Sequence, residues 1–236
     1  MRLDRMLVAG GFGTRKEVRA LIQEGMVTVD GERIVDPGFK VDPFKAEVRV
    51  GEEKVMPPGR IYLMLNKPAG VVTGTADPRY PTVIQLLPPE YARRGVFPVG
   101  RLDLDTEGLL IITTDGKLAH RLTSPHRHVP KRYFVRVRGY LTGEDVEAMQ
   151  EGIVLEDGYK CLPAHLNILY AGEISEAELT IYEGKYHQVK RMFARRRKKV
   201  LYLKRVAMGP LELDPSLPPG GWRELTPDEV AALKKV

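Results

Sequence analysis

Cysteine and asparagine are scarce in this 236-residue chain: Cys161 is the one thiol, and Asn66 and Asn167 are the only asparagines. A single thiol excludes a disulfide framework and favours a cytoplasmic location. Little asparagine beside 29 % charged residues suits the composition of a thermophile's protein. No apolar run approaches the roughly 18–20 residues of a membrane span. The first residues, MRLDRMLVAGG, set Asp4 and Arg5 where an export signal would turn apolar, so no signal is read and no membrane is expected. Neither a P-loop nor a dinucleotide fingerprint occurs, and no cofactor is expected. His126, His128 and Cys161 are metal-ligand types at poor spacing, and no metal site is expected.

Hydrophobic residues make up 43 %, enough for one or two domains with proper cores. The net charge of +6 suits a polyanionic partner. Met1–Pro58 is neutral, with 10 Lys/Arg and 10 Asp/Glu, so the excess lies in the remainder, 27 against 21. Met56-Pro57-Pro58-Gly59 continues neither a helix nor a central strand, and it divides the chain into domains 1–56 and 60–236.

The first domain reads as helix–helix–hairpin. Leu3, Met6 and Leu7 share a helical face, and Gly10, Gly11 and Gly13 then break the chain. Thr14-Arg15-Lys16-Glu17 is a capping box for a second helix carrying Val18, Leu21 and Ile22, ended by Gly25. Val27–Val29 alternates as a strand, Asp30-Gly31 is a hairpin turn, and Ile34-Val35 begins the return. Arg2, Arg5, Arg15, Lys16 and Arg19 give the two helices a basic end.

Beyond residue 60, strands are expected at 61–65, 109–113, 133–137, 177–182 and 200–206. Helices are expected at 82–87, 117–123, 143–151 and 187–196. Their irregular alternation predicts an α+β fold with a mixed, mostly antiparallel sheet flanked by helices.

Three blocks carry chemistry. Leu65–Thr73 (LNKPAGVVT) is a strand ending in a Pro/Gly turn with Lys67. Val99–Gly116 (VGRLDLDTEGLLIITTDG) holds Asp103, Asp105 and Glu107, which would share one side of an extended segment. Such a trio fits a solvated loop, paired carboxylates acting on a glycosidic bond, or an oxygen-ligand cation site. Glu183–Phe193 (EGKYHQVKRMF) opens a stretch, Lys185–Arg205, with 10 Lys/Arg, no acid, and Tyr186, Phe193 and Tyr202 interleaved. Aromatics in a basic groove hold unpaired RNA by stacking. His120–Arg138 is a second basic stretch, with six Lys/Arg, three His and no acid.

These segments resemble known families. RLDRML…TRKEVRALIQEGMVTVDGERI, within Met1–Val50, resembles the small S-four RNA-binding module of a ribosomal protein and several RNA-modifying enzymes. GRLDLDTEGLLIITTDG, with LNKPAGVVT, KRYFVRV and EGKYHQVKRMFA in the expected order, resembles the pseudouridine synthases of ribosomal RNA. HRLTSPHRHVPKRY and EGKYHQVKRMFA look most like the RsuA type, which acts on small-subunit 16S rRNA. One departure stands out: Ala194–Lys199 (ARRRKK) replaces a more glycine-bearing turn.

The resemblance implies an enzyme that breaks the N1–C1′ bond of a uridine, turns the base and joins C5 to C1′, without cofactor or energy source. It makes Asp103 the catalytic aspartate, able to attack C1′ or C6 or to remove a sugar proton. Lys190 is its expected cationic partner and Arg191 the rival. Tyr133 is expected to stack on the uracil. Asp105 and Glu107 are expected to shape the loop. Arg101, Lys67, Lys185, His187, Gln188 and Arg191, with Arg15, Lys16 and Arg19 of the first domain, are expected to bind RNA. The implied partner is ribosomal RNA or an assembling small ribosomal subunit, met by a monomer. The competing readings are a large-subunit 23S rRNA synthase of the same family, a non-catalytic RNA-binding or ribosome-assembly protein, and a glycosidic hydrolase.

Overall fold

The computed structural model describes residues 1–236 as two compact units: Met1–Ile61 with Ile84–Phe97, and Tyr62–Val83 with Pro98–Val236. The segment Ile84–Phe97, which the proline break assigns to the larger domain, thus packs with the smaller unit.

In the smaller unit, helices α1 (Leu3–Ala9) and α2 (Arg15–Gln23) cover a four-stranded antiparallel sheet. Its strands are β1 (Val27–Val29), β2 (Glu32–Arg33), β3 (Val48–Val50) and β4 (Glu53–Lys54), in the order β2-β1-β3-β4. The short helix α3 (Pro89–Arg93) belongs to the same unit. The Thr14 capping box forms: Glu17 N–H reaches the threonine hydroxyl, and Thr14 N–H reaches the Glu17 carboxylate at 2.6 Å. Leu3, Met6, Leu7, Val18 and Ile22 are fully buried against Val27. Asp30 (φ 51°) and Gly31 (φ 85°) both take the left-handed conformation a two-residue hairpin turn needs. So tight a turn starts the return ladder at once, at Glu32–Arg33 rather than at the expected Ile34-Val35.

Asp4 is buried on α1 and accepts hydrogen bonds from Arg2 (2.9 and 3.1 Å) and Arg19 (3.3 Å). The Arg2 hydrogen bond, outweighing burial, holds its carboxyl at about 2. Because this folded value lies below the unfolded value of about 4, the stabilisation is complete above pH 4 and disappears as pH falls toward 2. Asp4→Asn is therefore expected to lower the melting temperature at pH 7. Melts recorded between pH 4 and pH 2 should show the gap to the unaltered chain closing.

The larger unit is built on a nine-stranded sheet. Its strands are β5 (Tyr62–Lys67), β6 (Phe97–Pro98), β7 (Glu107–Thr113), β8 (Lys131–Arg138), β9 (His165–Tyr170), β10 (Ile174–Ile181), β11 (Lys199–Met208), β12 (Leu211–Glu212) and β13 (Trp222–Glu224). The path runs β13-β5-β7-β11-β8-β10-β9, with β12 beside β11 and β6 beside β7. The β7–β11 ladder is parallel, while those of β5 with β7 and β13, of β8 with β10 and β11, of β9 with β10 and of β11 with β12 are antiparallel, so the sheet is mixed and mostly antiparallel, as expected. That crossing is tight: a Cβ on Gly108 (φ 103°) would lie 2.2 Å from the Arg205 carbonyl oxygen, so only glycine fits. Leu109–Ile112 of β7 are fully buried.

Helices α4 (Gly116–Thr123), α5 (Gly143–Glu151), α6 (Gln188–Arg195) and α7 (Pro227–Lys234) complete this unit. Asp115 caps α4 through Leu118 N–H at 3.2 Å. The helix expected at 82–87 is instead a single 3-10 turn, Val83–Leu86, because Pro88 forces Leu87 out of helical conformation. Helix α7 opens with a Thr226/Glu229 capping box and Pro227 at the first helical position.

The basic turn after α6 keeps the geometry that glycine normally supplies. Lys198 N–H bonds the Phe193 carbonyl and Arg197 N–H bonds the Ala194 carbonyl, with Arg197 at φ 56°. This is a Schellman motif with arginine in the left-handed position, at a steric cost of roughly 1–2 kcal/mol.

Candidate active site

The segment Gly100–Thr106 is a loop and turn leading into β7, so Asp103, Asp105 and Glu107 do not lie on one extended segment. Thr106 N–H bonds back to the Asp103 carbonyl at 3.1 Å and closes the turn. The three carboxylates therefore do not form one row.

The Leu65–Thr73 block fixes this loop from below. Thr73 Oγ1 donates to the Leu102 carbonyl (2.8 Å) and accepts from Leu102 N–H (3.2 Å). Gly70 N–H donates to the Leu104 carbonyl at 2.8 Å. Lys67, expected to bind RNA, is instead wholly buried, with Nζ on the carbonyls of Pro68 (3.0 Å), Leu104 (3.3 Å) and Thr106 (2.8 Å). An ammonium has three protons and here meets three acceptors, which is why a lysine sits at the end of β5. Burial pushes it down to about 8 against the pull of Asp105, Asp103 and Glu107. Lys67→Met would strand buried carbonyls at about 1–3 kcal/mol each, so a loss of about 3 kcal/mol is expected in urea denaturation.

Asp103 meets the third block across the loop. Lys190, on α6, places Nζ 3.2 Å from Asp103 Oδ2 and 2.5 Å from Asp105 Oδ1. Burial lowers its pKa, but the two carboxylates outweigh this and raise it overall. Lys190 in turn holds Asp105 below its ordinary value despite burial. Arg191, one position on, faces elsewhere and pairs with Glu156 (2.6 Å) and Asp157 (2.5 Å). Glu107 accepts from the Tyr202 hydroxyl at 2.7 Å.

His187 immediately precedes α6 at φ 47°, with Nε2 3.7 Å from Asp103 Oδ1. Its ring stacks on Tyr186, centroids 3.8 Å apart and planes 18° apart, while Tyr186 itself is 76 % exposed. Of the interleaved aromatics, Tyr186 alone offers an open face. Phe193 is fully buried, and Tyr202 is half-buried and bonded to Glu107.

Asp103, Lys190, His187 and Tyr133 line one cavity of about 480 Å³, within the range of small-molecule sites. Tyr133 is 7 % exposed on β8, and Arg101, Lys185 and Gln188 also line the cavity. Arg101 and Lys185 are exposed, as an RNA contact requires. Gln188 is buried: its amide donates to Glu183 (2.8 Å) and its oxygen accepts from Lys185 N–H (2.9 Å), so it braces the turn before α6. In the smaller unit Arg15, Lys16 and Arg19 are exposed, Arg19 leaning on Asp4. His126 and His128 are exposed on the turn after α4, whereas Cys161 is buried and its thiol is pushed up to about 11 by that burial. Arg205 and Lys131 also line the cavity, and no sequence signal separated them from the other cations of the two basic stretches.

Comparison with known proteins matches residues 61–195 to the RNA pseudouridylate synthase family and residues 1–51 to the S4 domain. YtzG, described as an uncharacterized RNA pseudouridine synthase of Bacillus subtilis (strain 168), is 48 % identical over 236 residues, covering 100 % of this chain and 99 % of that protein. The ribosomal small subunit pseudouridine synthase A of Vibrio parahaemolyticus is 43 % identical over 231 residues, covering 98 % of each chain. A crystal structure of a pseudouridylate synthase superposes with a TM-score of 0.69 at 36 % identity over 99 % of both chains. With family matches on both units and relatives alike from end to end, the chain belongs to the RNA pseudouridylate synthases and carries an S4 domain at its N-terminus.

Proposed function

We propose that this enzyme isomerises one uridine of ribosomal RNA, in the small subunit, with Asp103 as the catalytic carboxylate. The observation that carries the reading is Asp103, ion-paired with Lys190, lining the same cavity as Tyr133, a cavity about the size of a small-molecule site. The small-subunit target is supported by relatives whose names carry it, including those of Vibrio parahaemolyticus and Salmonella typhimurium. The enzyme works as a monomer in the cytoplasm, on free RNA or an assembling particle.

A paired base cannot reach such a cavity, so the target nucleotide is flipped out at a cost of a few kcal/mol. Arg101 and Lys185, exposed at the cavity, hold the phosphates beside it and offset that cost. Tyr133 packs on the uracil face, and Tyr186, stacked on His187, offers a flat surface to a neighbouring base. A carboxylate here has three opening steps: attack at C1′, attack at C6, or removal of a sugar proton. All three need it ionised, and the Lys190 ammonium lies 3.2 Å from it, placed to pair with that charge. The base then turns, C5 bonds to C1′, and the C5 proton leaves.

The test of the target is tritium release from ribosomal RNA labelled at uridine C5. Release from small-subunit RNA and none from large-subunit RNA is expected. Release from large-subunit RNA alone would reassign the substrate.

A further inference from the structure

Two cations of the cavity are unused in the steps above. Lys131 opens β8 two residues before Tyr133, hence on the same face of the strand. Its Nζ donates to the Val129 carbonyl at 2.9 Å. Arg205 lies directly opposite Tyr133 in the β8–β11 ladder and is 2 % exposed. Its Nε donates to the Leu109 carbonyl at 2.8 Å, but its Nη2 is buried with no hydrogen-bond partner. Both side chains line the cavity. The nearby carboxylate, Glu183, has its oxygens engaged by Tyr159 hydroxyl (2.6 Å), Leu162 N–H (2.9 Å) and the Gln188 amide (2.8 Å).

A buried guanidinium N–H without an acceptor is costly, and native structures retain few such groups without a reason. The reason is found in the reaction. When N1–C1′ breaks, its electron pair stays on the base and spreads over N1, O2 and O4. When C5–C1′ forms, the pair is spent at C5, whose proton goes to solvent while N1 takes one up. Between the two events the base is an anion.

We propose that Lys131 and Arg205 are catalytic residues that hold the uracil carbonyl oxygens and stabilise this anion while it turns. Fixed donors in a dry site act most strongly on charge that develops during reaction. Burial and the Arg205 charge push Lys131 down to about 8, against Glu183, so its proton is readily shared with a carbonyl oxygen. The inference rests on the cavity being the uridine site.

The experiment uses the full chain and small-subunit ribosomal RNA made with uridine or with 5-fluorouridine, whose base is the better leaving group. Single-turnover loss of the N-glycoside is followed by digestion and chromatography, and RNA binding is measured in parallel. Lys131→Met is expected to slow uridine conversion by about 10²-fold, as loss of one charge-stabilising donor does elsewhere, with binding unchanged. Arg205→Lys, which keeps the charge but not the Nη2 donor, should show the same pattern. The defect should shrink on 5-fluorouridine, which needs less help to leave; a merely structural role would slow both substrates alike. An unchanged rate, an equal defect on both, or a defect confined to binding would overturn the proposal. If the unaltered chain converts neither RNA, the reading of the cavity falls, and this inference with it.

Discussion

Asp103→Asn is expected to give a folded chain that binds RNA as before but turns over about 10⁴-fold more slowly or worse, the scale of removing a principal catalytic side chain. The loop is held through its backbone, independently of the Asp103 side chain. The loop hangs on Lys67, Gly70 and Thr73, which bind the backbone of residues 102, 104 and 106 and leave the Asp103 side chain free to change. Asn keeps the shape and loses only the charge. Lys190 retains Asp105 at 2.5 Å, so no ammonium is orphaned. Melting temperature and RNA affinity should therefore match the unaltered chain, and rate alone should collapse. A variant keeping more than about a tenth of the rate would place the chemistry on another residue.

RNA binding is expected to weaken about 10²- to 10³-fold between 50 and 200 mM salt, as about five neutralised phosphates would require. That estimate discounts paired cations: Arg191, Arg196, Arg132 and Arg136 hold carboxylates of their own chain. Arg101, Lys185, Arg195, Arg197 and Lys199 stay exposed in the larger unit, with Arg15 and Lys16 in the smaller. Filter binding over a salt series measures the slope. A value near −1 would mean a single phosphate contact and would leave the flipping cost without an electrostatic source.

What could be read from the sequence was local chemistry. The Thr14 capping box, the Asp30-Gly31 turn and the alternation of Val27–Val29 are short-range patterns, and each is present in the structure. The family resemblance implied Asp103, Tyr133 and Lys190, which all line one cavity. Lost to the reading was which way a polar side chain faces. Lys67 and Gln188 look like surface groups because their residue types usually are. Lys67 is buried on carbonyls 37 and 39 residues away, and Gln188 on the Glu183 carboxylate of the turn before its own helix. Arg205 vanished into a basic run for the same reason: only the parallel β7–β11 crossing takes it into the interior. Asp103, Asp105 and Glu107 would share one side only on a strand, and Thr106 closes a turn there instead.

The most direct test counts two products of one reaction on small-subunit ribosomal RNA labelled with tritium at uridine C5. Isomerisation at Asp103 predicts one tritium released per pseudouridine formed, no free uracil, and neither product with Asp103→Asn. Free uracil in step with abasic sites would make this fold a glycosidic hydrolase, and tritium release that survives Asp103→Asn would contradict the assignment of its catalytic carboxylate.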